Sequence, residues 1–268
     1  MKPRIALLGA GVMGEAIAGY AIESGFIDRS DIVIVERLTE RRAEITKRLG
    51  VIAEDAARAL PGADAIVLAV KPQDFAELAA EAAPHVPENC IAISIMAGVP
   101  LARIREALAH DRVVRAMPNT PAQIGAGVTV WLAADEVDDD AKARIVRPLL
   151  ASLGAQYEVD HERYLDMATA VNGSGPGYVF FVIEAMIDAA VQIGFARQLA
   201  SDLVIGTVLG SAEYARASGR HPAELRNLVT SPGGTTAAGL FELESAGVRA
   251  AFARAIQAAY DRSKALGG

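Results

Sequence analysis

Arg4-Ile5-Ala6-Leu7-Leu8-Gly9-Ala10-Gly11-Val12-Met13-Gly14, followed by Glu15-Ala16-Ile17-Ala18-Gly19-Tyr20 at helical spacing, is the stretch that decides the fold. An apolar run enters a glycine turn and leaves it as a helix. The three glycines serve different ends, since Gly9 permits the tight turn, Gly11 lets a pyrophosphate come close to the backbone, and Gly14 lets helix and strand pack. A lone G-x-G-x-x-G is weak evidence, because a glycine turn can simply pack. Here it follows an apolar strand, and a second strand, Asp31-Ile32-Val33-Ile34-Val35-Glu36, arrives at the distance that closes a βαβ unit. The reading is a dinucleotide crevice at the turn that runs from Gly9 through Gly11 to Gly14.

Working outward, strand-like runs at 51–53, 65–70, 92–96, 113–117, 128–132 and 156–159 alternate with helical patterns. Alternation predicts an α/β fold, a Rossmann-type doubly wound sheet covered on both faces. After His161 the pattern becomes helix upon helix, at 178–193, 197–217, 222–229, 237–246 and 248–265. We therefore expect a dinucleotide-binding domain over 1–162 and an all-helical domain over 163–268, a usual domain size. The helical half is rich in small residues and apolar over most of its faces. A homodimer at least would bury more of that surface than a monomeric bundle.

The 268 residues carry a formal net charge of −7, which argues against nucleic acid as a partner. No apolar run reaches about eighteen residues and no cleavable leader is visible, so neither a membrane partner nor export is expected. The expected location is the cytoplasm. Cys90 is the single cysteine, and its apolar surroundings suggest a buried, inert thiol. The acidic cluster at 135–140 reads as a solvated loop before a helix. No metal site is expected.

In a doubly wound sheet the ligand sits beyond the carboxyl ends of the strands. The segments there are Lys71-Pro72-Gln73, Ala97-Gly98-Val99-Pro100 and Pro118-Asn119-Thr120-Pro121. Prolines stiffen these loops, and Ala97 and Gly98 leave room for a nicotinamide ring. Lys71 is either a cofactor contact or a surface lysine. Asn119 and Thr120 either orient the nicotinamide amide or close a proline-bounded turn. Near the other end, Ser231-Pro232-Gly233-Gly234-Thr235-Thr236 puts two glycines and three hydroxyls before a helix. Such a loop can cradle a small carboxylate on the free N–H groups of the first helical turn. It can also be a plain turn with a hydroxyl cap.

Alcohol oxidation needs a group that removes the hydroxyl proton. The helical half has no lysine between Lys142 and Lys264, and its histidines, His161 and His221, stand at helix starts where capping is the simpler role. Tyr164 and Tyr178 remain as acids the site could use, in apolar patterns that also fit a core. An iminium cation needs hydride and little else, so the absence of an obvious base favours reduction of a C=N bond.

Leu225-Arg226-Asn227-Leu228-Val229-Thr230 with the loop from Ser231 to Thr236, then Ala237-Ala238-Gly239-Leu240-Phe241-Glu242, resembles the signature of the pyrroline-5-carboxylate reductase family. The fingerprint from Gly9 to Gly14, Ala69-Val70-Lys71-Pro72, Arg115-Ala116-Met117-Pro118-Asn119-Thr120-Pro121 and Gly173-Ser174-Gly175-Pro176-Gly177-Tyr178 agree with it, in order, over nearly the whole chain. The resemblance implies reduction of L-1-pyrroline-5-carboxylate to L-proline with NADPH, or NADH as the alternative. It also implies helical domains interlocked as dimers that can assemble into decamers. It assigns Ser231, Gly233, Gly234, Thr235 and Thr236 to the substrate carboxylate, with Thr236 near the ring nitrogen as the catalytic candidate, and it assigns Leu8, Gly9, Ala10, Gly11, Val12 and Met13, with Ala69 to Pro72 and Met96, Ala97 and Gly98, to the cofactor. Two departures stand out: the stretch from Asn172 to Gly177 has asparagine and glycine where many members have serine and alanine, which keeps the turn and loosens the following helix start, and Ala56 occupies a position that is often asparagine.

Cofactor choice is open at Glu36, where a carboxylate would accept both ribose hydroxyls of NAD and repel a 2′-phosphate. Arg37, Arg41 and Arg42 follow, and an arginine there can clamp that phosphate; the family habit favours NADPH. Two rivals remain at this point: a hydroxyacid or prephenate dehydrogenase-like reductase, and a nucleotide-binding regulator without turnover.

Overall fold

In the computed structural model, which describes residues 2–36 and 38–267, eight strands form one sheet. They are β1 (Ile5–Leu8), β2 (Ile32–Val35), β3 (Ile52–Glu54), β4 (Ala65–Leu68), β5 (Ile91–Ser94), β6 (Val113–Met117), β7 (Gly127–Ala133) and β8 (Gly154–Glu158). Their order is β3-β2-β1-β4-β5-β6-β7-β8, so the chain reverses direction across the sheet between β1 and β4. That switch point opens a crevice beyond the strand ends.

The central strands read as continuous apolar runs because both faces are covered. β1, β2, β4 and β5 are buried at every residue. Their side chains alternate between two cores. Leu7, Ile34, Val67 and Ile93 join Ile17 and Trp131 on one face. Leu8, Val35, Leu68 and Ala92 join Phe75 and Ile104 on the other. Only β6 and β7 pair antiparallel, because the connection over 118–126 is too short for a crossover. All eight expected strands are present, and the sheet is mostly parallel as expected.

The chain packs as two units. The first runs to Ser174 and regains the chain from Ala259; the second is Gly175–Ala258. This packing boundary falls after the expected break at 162/163, and ion pairs account for the difference. Arg115 on β6, its side chain 5% exposed, pairs with Glu162 at 2.9 Å and with Asp166 at 3.5 Å. Glu162 also accepts the Leu101 N–H at 2.8 Å, and Ser263 donates to Asp166 at 3.1 Å. The helix Arg163–Ala168 and the last turns after Ala259 thus belong with the sheet, although the sequence pattern has already turned helical.

In the second unit the helices are Gly175–Gln192, Arg197–Ser218, Pro222–Leu228 and Thr235–Ser245, with Val248–Gly267 leaving it at Ala258. Each expected helix is present within a few residues. Of this unit only Ala200 and Val204 are buried hydrophobics, while Phe180, Phe181, Leu209, Tyr214 and Phe241 are exposed. The continuous helix Arg163–Gln192 is long and apolar enough to cross a membrane by length and composition alone. No unbroken apolar run marks it in the sequence, because Asp166, Glu184 and Asp188 interrupt the helix. Asp188 pairs with Arg197 at 2.9 Å on the next helix.

Candidate active site

The crevice at the switch point is a cleft of about 660 Å³ lined by Gly9, Ala10, Gly11, Val35, Glu36, Leu38, Arg41, Ala69, Val70, Lys71, Asp74 and Leu78. Its glycines can be tested one by one. Gly9 has φ +108, and a Cβ there would stand 2.9 Å from the Ala69 carbonyl. A Cβ on Gly14 would run into the Gly9 carbonyl oxygen, so helix and strand meet only because it is absent. At Gly11 nothing lies within 4 Å of the missing Cβ, which leaves space open to a ligand. Gly11 also caps the helix Val12–Glu23 without a side-chain hydrogen bond. A tight turn, an open approach and an uncapped helix N-terminus together fit the pyrophosphate of a dinucleotide.

Among the residues expected at this cofactor site, the cleft gathers Gly9, Ala10, Gly11, Glu36, Ala69, Val70 and Lys71. Val12 is 64% exposed beside the turn, whereas Leu8 is fully buried and supports from behind. Arg37 lies outside the described residues. Lys71 is exposed, and Pro72 starts the 3-10 turn Pro72–Asp74. Asp74 and Leu78 line the cleft without having been anticipated; their spacing of four on one helical face was the available signal. Met96 is buried behind the β5 end. Gly98 has φ +70, and its bare side faces Leu266, whose Cβ would lie 2.9 Å from an added Cβ. The last helical turn therefore backs this loop.

Asn119 closes a turn. Its Oδ1 accepts the Val128 N–H at 2.8 Å, and its Nδ2 donates to Asn172 Oδ1 at 3.0 Å. Asn172 in turn donates to the carbonyls of Met117 and Val128, both at 3.0 Å. It can do so because residues Thr169–Gly173 form a π-helical turn, a local widening common at functional sites. Sequence reasoning saw only the turn at Asn172 and missed the clasp.

In the second unit, Ser231 to Thr236 folds as a tight turn, with Gly234 N–H donating to Ser231 O at 3.0 Å and Gly233 at φ +70. A Cβ on Gly234 would meet Ser231 Oγ at 2.5 Å. The following helix starts at Thr235, two residues earlier than expected, so both threonines sit in its first turn. Its cap, Gly234, provides no side-chain acceptor. Among the described residues, the hydroxyls of Ser231, Thr235 and Thr236 make no hydrogen bond within the chain. The loop thus offers backbone donors and hydroxyls of the kind that hold a carboxylate.

Both histidines considered as bases accept a backbone N–H at a helix start, and His221 is the N-cap of Pro222–Leu228. His161 Nδ1 accepts the Arg163 N–H and His221 Nδ1 the Ala223 N–H, each at 3.2 Å. Burial pushes the Cys90 thiol up to about 12, which leaves it inert. The acidic cluster ends in a cap as well: Asp138 accepts the Ala141 N–H at 2.8 Å.

Comparison with known proteins covers both units. Residues 162–266 match the family model described as pyrroline-5-carboxylate reductase dimerisation, and residues 4–98 match one described as NADP oxidoreductase, coenzyme F420-dependent. A pyrroline-5-carboxylate reductase of Synechocystis is 39% identical over 100% of this chain and 99% of that protein. The Pisum sativum enzyme of the same name is 37% identical over 98% and 95%. Among solved structures, a pyrroline-5-carboxylate reductase from Coxiella burnetii superposes with a TM-score of 0.91 at 34% identity, covering 100% of both chains. The Plasmodium falciparum pyrroline carboxylate reductase, solved with NADP bound, gives 0.90 at 30% identity, again over 100% of both. A prephenate dehydrogenase from Aquifex aeolicus shares the fold alone, at 16% identity and a TM-score of 0.54.

Proposed function

This chain belongs to the pyrroline-5-carboxylate reductase family, and from that premise we propose how its residues divide the reduction of the C=N bond of L-1-pyrroline-5-carboxylate to L-proline. The cofactor, when bound, supplies the hydride. We take it to be NADPH, with NADH accepted in the same cleft; the NADP in the Plasmodium relative supports that order. The protein's part is to bind, orient and exclude alternatives.

Gly9, Gly11 and the first turn of the helix Val12–Glu23 hold the pyrophosphate, with Ala10, Met13 and Gly14 shaping the turn. Ala69, Val70, Lys71 and Pro72 wall the crevice on the β4 side, and Met96, Ala97 and Gly98 support the nicotinamide end. The Asn119–Asn172 clasp fixes the loop after β6. In the helical unit, Gly233, Gly234 and Thr235 hold the substrate carboxylate together with Ser231, and Thr236 orients the ring nitrogen. No residue is required to take a proton from an alcohol, because the substrate reacts as the iminium cation: its nitrogen already carries the proton that the amine keeps, and its carbon is the electrophile that takes the hydride.

The observation that carries this reading is the turn at Gly233 and Gly234, which delivers two unpaired threonine hydroxyls to an uncapped helix start. A Thr236→Ala variant is expected to lose about 10- to 100-fold in kcat/KM for the imine, the loss of one or two well-placed hydrogen bonds. Its cofactor KM should be unchanged. The assay follows NADPH and NADH oxidation with pyrroline-5-carboxylate, against 3-hydroxy acids and prephenate; an unaltered efficiency would remove Thr236 from the site.

We also propose that the assembly is a cytoplasmic homodimer at least, associating further into a decamer. Support comes from the match to a dimerisation family and from a helical unit with almost no core of its own. Sedimentation velocity reads both steps.

A further inference from the structure

The floor of the cofactor cleft carries a pair of opposite charges that the reduction itself does not use. Glu36 follows β2, and its backbone N–H donates to Glu54 O at 3.0 Å. Its carboxylate is held in place: Oε1 accepts the Leu38 N–H at 3.0 Å, and Oε2 lies 3.6 Å from Arg41 Nε. Only 14% of the Glu36 side chain is exposed, against 51% for Arg41, and both residues line the cleft with Gly9 and Gly11. Arg42 is engaged differently, with Nε on the Glu36 carbonyl oxygen at 2.5 Å and Nη1 4.0 Å from Asp55.

The two charges have unequal freedom. A main-chain N–H fixes the Glu36 carboxylate, yet a carboxylate has about four acceptor sites and keeps room for a vicinal diol. A carboxylate after the second strand is the group that accepts the ribose hydroxyls of NAD. A 2′-phosphate placed there would meet a like charge that cannot turn away. Arg41 is tied to Glu36 by a single long contact on a half-exposed side chain, so it can turn from the carboxylate to a phosphate. A planar guanidinium suits that partner.

We infer that Glu36 and Arg41 are opposed specificity determinants of this site: Glu36 favours NADH, Arg41 favours NADPH, and the balance between them sets the cofactor ratio. The inference rests on the cleft being the dinucleotide site. With NADH, Arg41 stays on Glu36 and the diol bonds the remaining carboxylate lone pairs. With NADPH, Arg41 moves to the 2′-phosphate and leaves Glu36 without its counter-ion. The chain therefore accepts both cofactors, and neither with the full discrimination of a site carrying one charge alone.

The test is calorimetric titration of NAD⁺ and NADP⁺ into the full-length protein and its Glu36→Ser, Arg41→Ala and Arg37→Ala variants, alongside the NADPH/NADH ratio of kcat/KM with the imine. Glu36→Ser should shift the affinity ratio at least about tenfold toward NADP⁺, and Arg41→Ala should shift it about as far toward NAD⁺. Raising the salt concentration should shrink both shifts, since both are charge effects. Binding of the favoured dinucleotide and an unchanged thermal melt certify that each variant is folded. A ratio unmoved by Glu36→Ser or by Arg41→Ala overturns the inference, as does a ratio that moves with Arg37→Ala and not with Arg41→Ala. If the wild-type protein binds neither dinucleotide, the cleft assignment itself fails and the inference with it. Dinucleotide binding without imine turnover would instead strike at the reductase reading and leave the charge pair standing.

Discussion

At Asn172 one amide joins three segments of chain: its Nδ2 donates to Met117 O and Val128 O, and its Oδ1 accepts from Asn119. Replacing it by alanine removes the donor to both carbonyls and leaves the Asn119 amide only its 3.3 Å bond to the residue-172 backbone carbonyl, in a half-buried setting. Each such loss costs about 1–3 kcal/mol when water cannot step in. Asn172→Ala should therefore lower the melting temperature by several degrees. Asn172→Asp is the sharper variant. A carboxylate accepts and cannot donate, and here it would face two carbonyl oxygens at 3.0 Å. Thermal melts at pH 7 should rank wild type above alanine and alanine above aspartate; an aspartate variant as stable as wild type would show that the clasp does not form. The clasp was invisible beforehand because its partners are far apart in sequence, at 117, 119, 128 and 172, and only the π-helical turn brings the amide to them. Gly9, Gly11 and Gly14 were readable for the opposite reason: their roles are local to a single turn, and spacing alone encodes them.

The strands and helices followed from hydrophobic period, and their errors have physical causes. β1, β2, β4 and β5 could be read because strands covered on both faces are apolar throughout. The helix at Thr235 was expected to start two residues later, since its first turn is polar and no apolar period marks it. The break expected at 162/163 follows the change of pattern, and the packing unit that ends at Ser174 is drawn on another ground: Arg115 with Glu162 and Asp166 ties the helix Arg163–Ala168 to the sheet. The edge strand β8 is less covered, and charge holds it where apolar burial does not. Glu158 on it pairs with Lys142 at 3.1 Å and Arg147 at 2.8 Å. Burial alone would raise its pKa, but these two cations overcome that and hold the carboxyl below its ordinary range. A depressed native pKa gives stability that is present above the unfolded value and is lost as pH falls through the native one. Glu158→Gln should thus melt below wild type at pH 7, and the gap should close as pH falls below about 4, the carboxylate range. Melting curves between pH 3 and 7 check this; a gap that persists at pH 3 would point to packing in place of charge.

For the molecule as a whole, the two units differ in self-sufficiency. The sheet has a core on each face. The helical unit has none to speak of: the helices Gly175–Gln192, Pro222–Leu228 and Thr235–Ser245 contain no buried residue, while Phe180, Phe181 and Phe241 are 61%, 71% and 69% exposed. Helices apolar on most faces are stable only when covered, and in a homo-oligomer the available cover is the same face of a second copy. The helix that begins with Thr235 and Thr236 is among those without buried residues, so pairing supplies what the single chain lacks. The consequence can be separated by unit. Glutamate at Phe181 and at Leu209, which is 58% exposed on the next helix, puts two charges per chain into the face to be covered. Truncating an interface anchor costs about 2 kcal/mol or more, roughly thirtyfold in dissociation constant, and a desolvated charge adds to that. Sedimentation velocity at micromolar concentration should find the double variant monomeric. Imine turnover should fall in step with the dimer, while calorimetry still detects dinucleotide binding, because the sheet folds around its own core. A variant that remains dimeric with the wild-type dissociation constant would place the interface on another face. One that dissociates yet keeps full turnover would show that the threonine loop is formed by one chain alone.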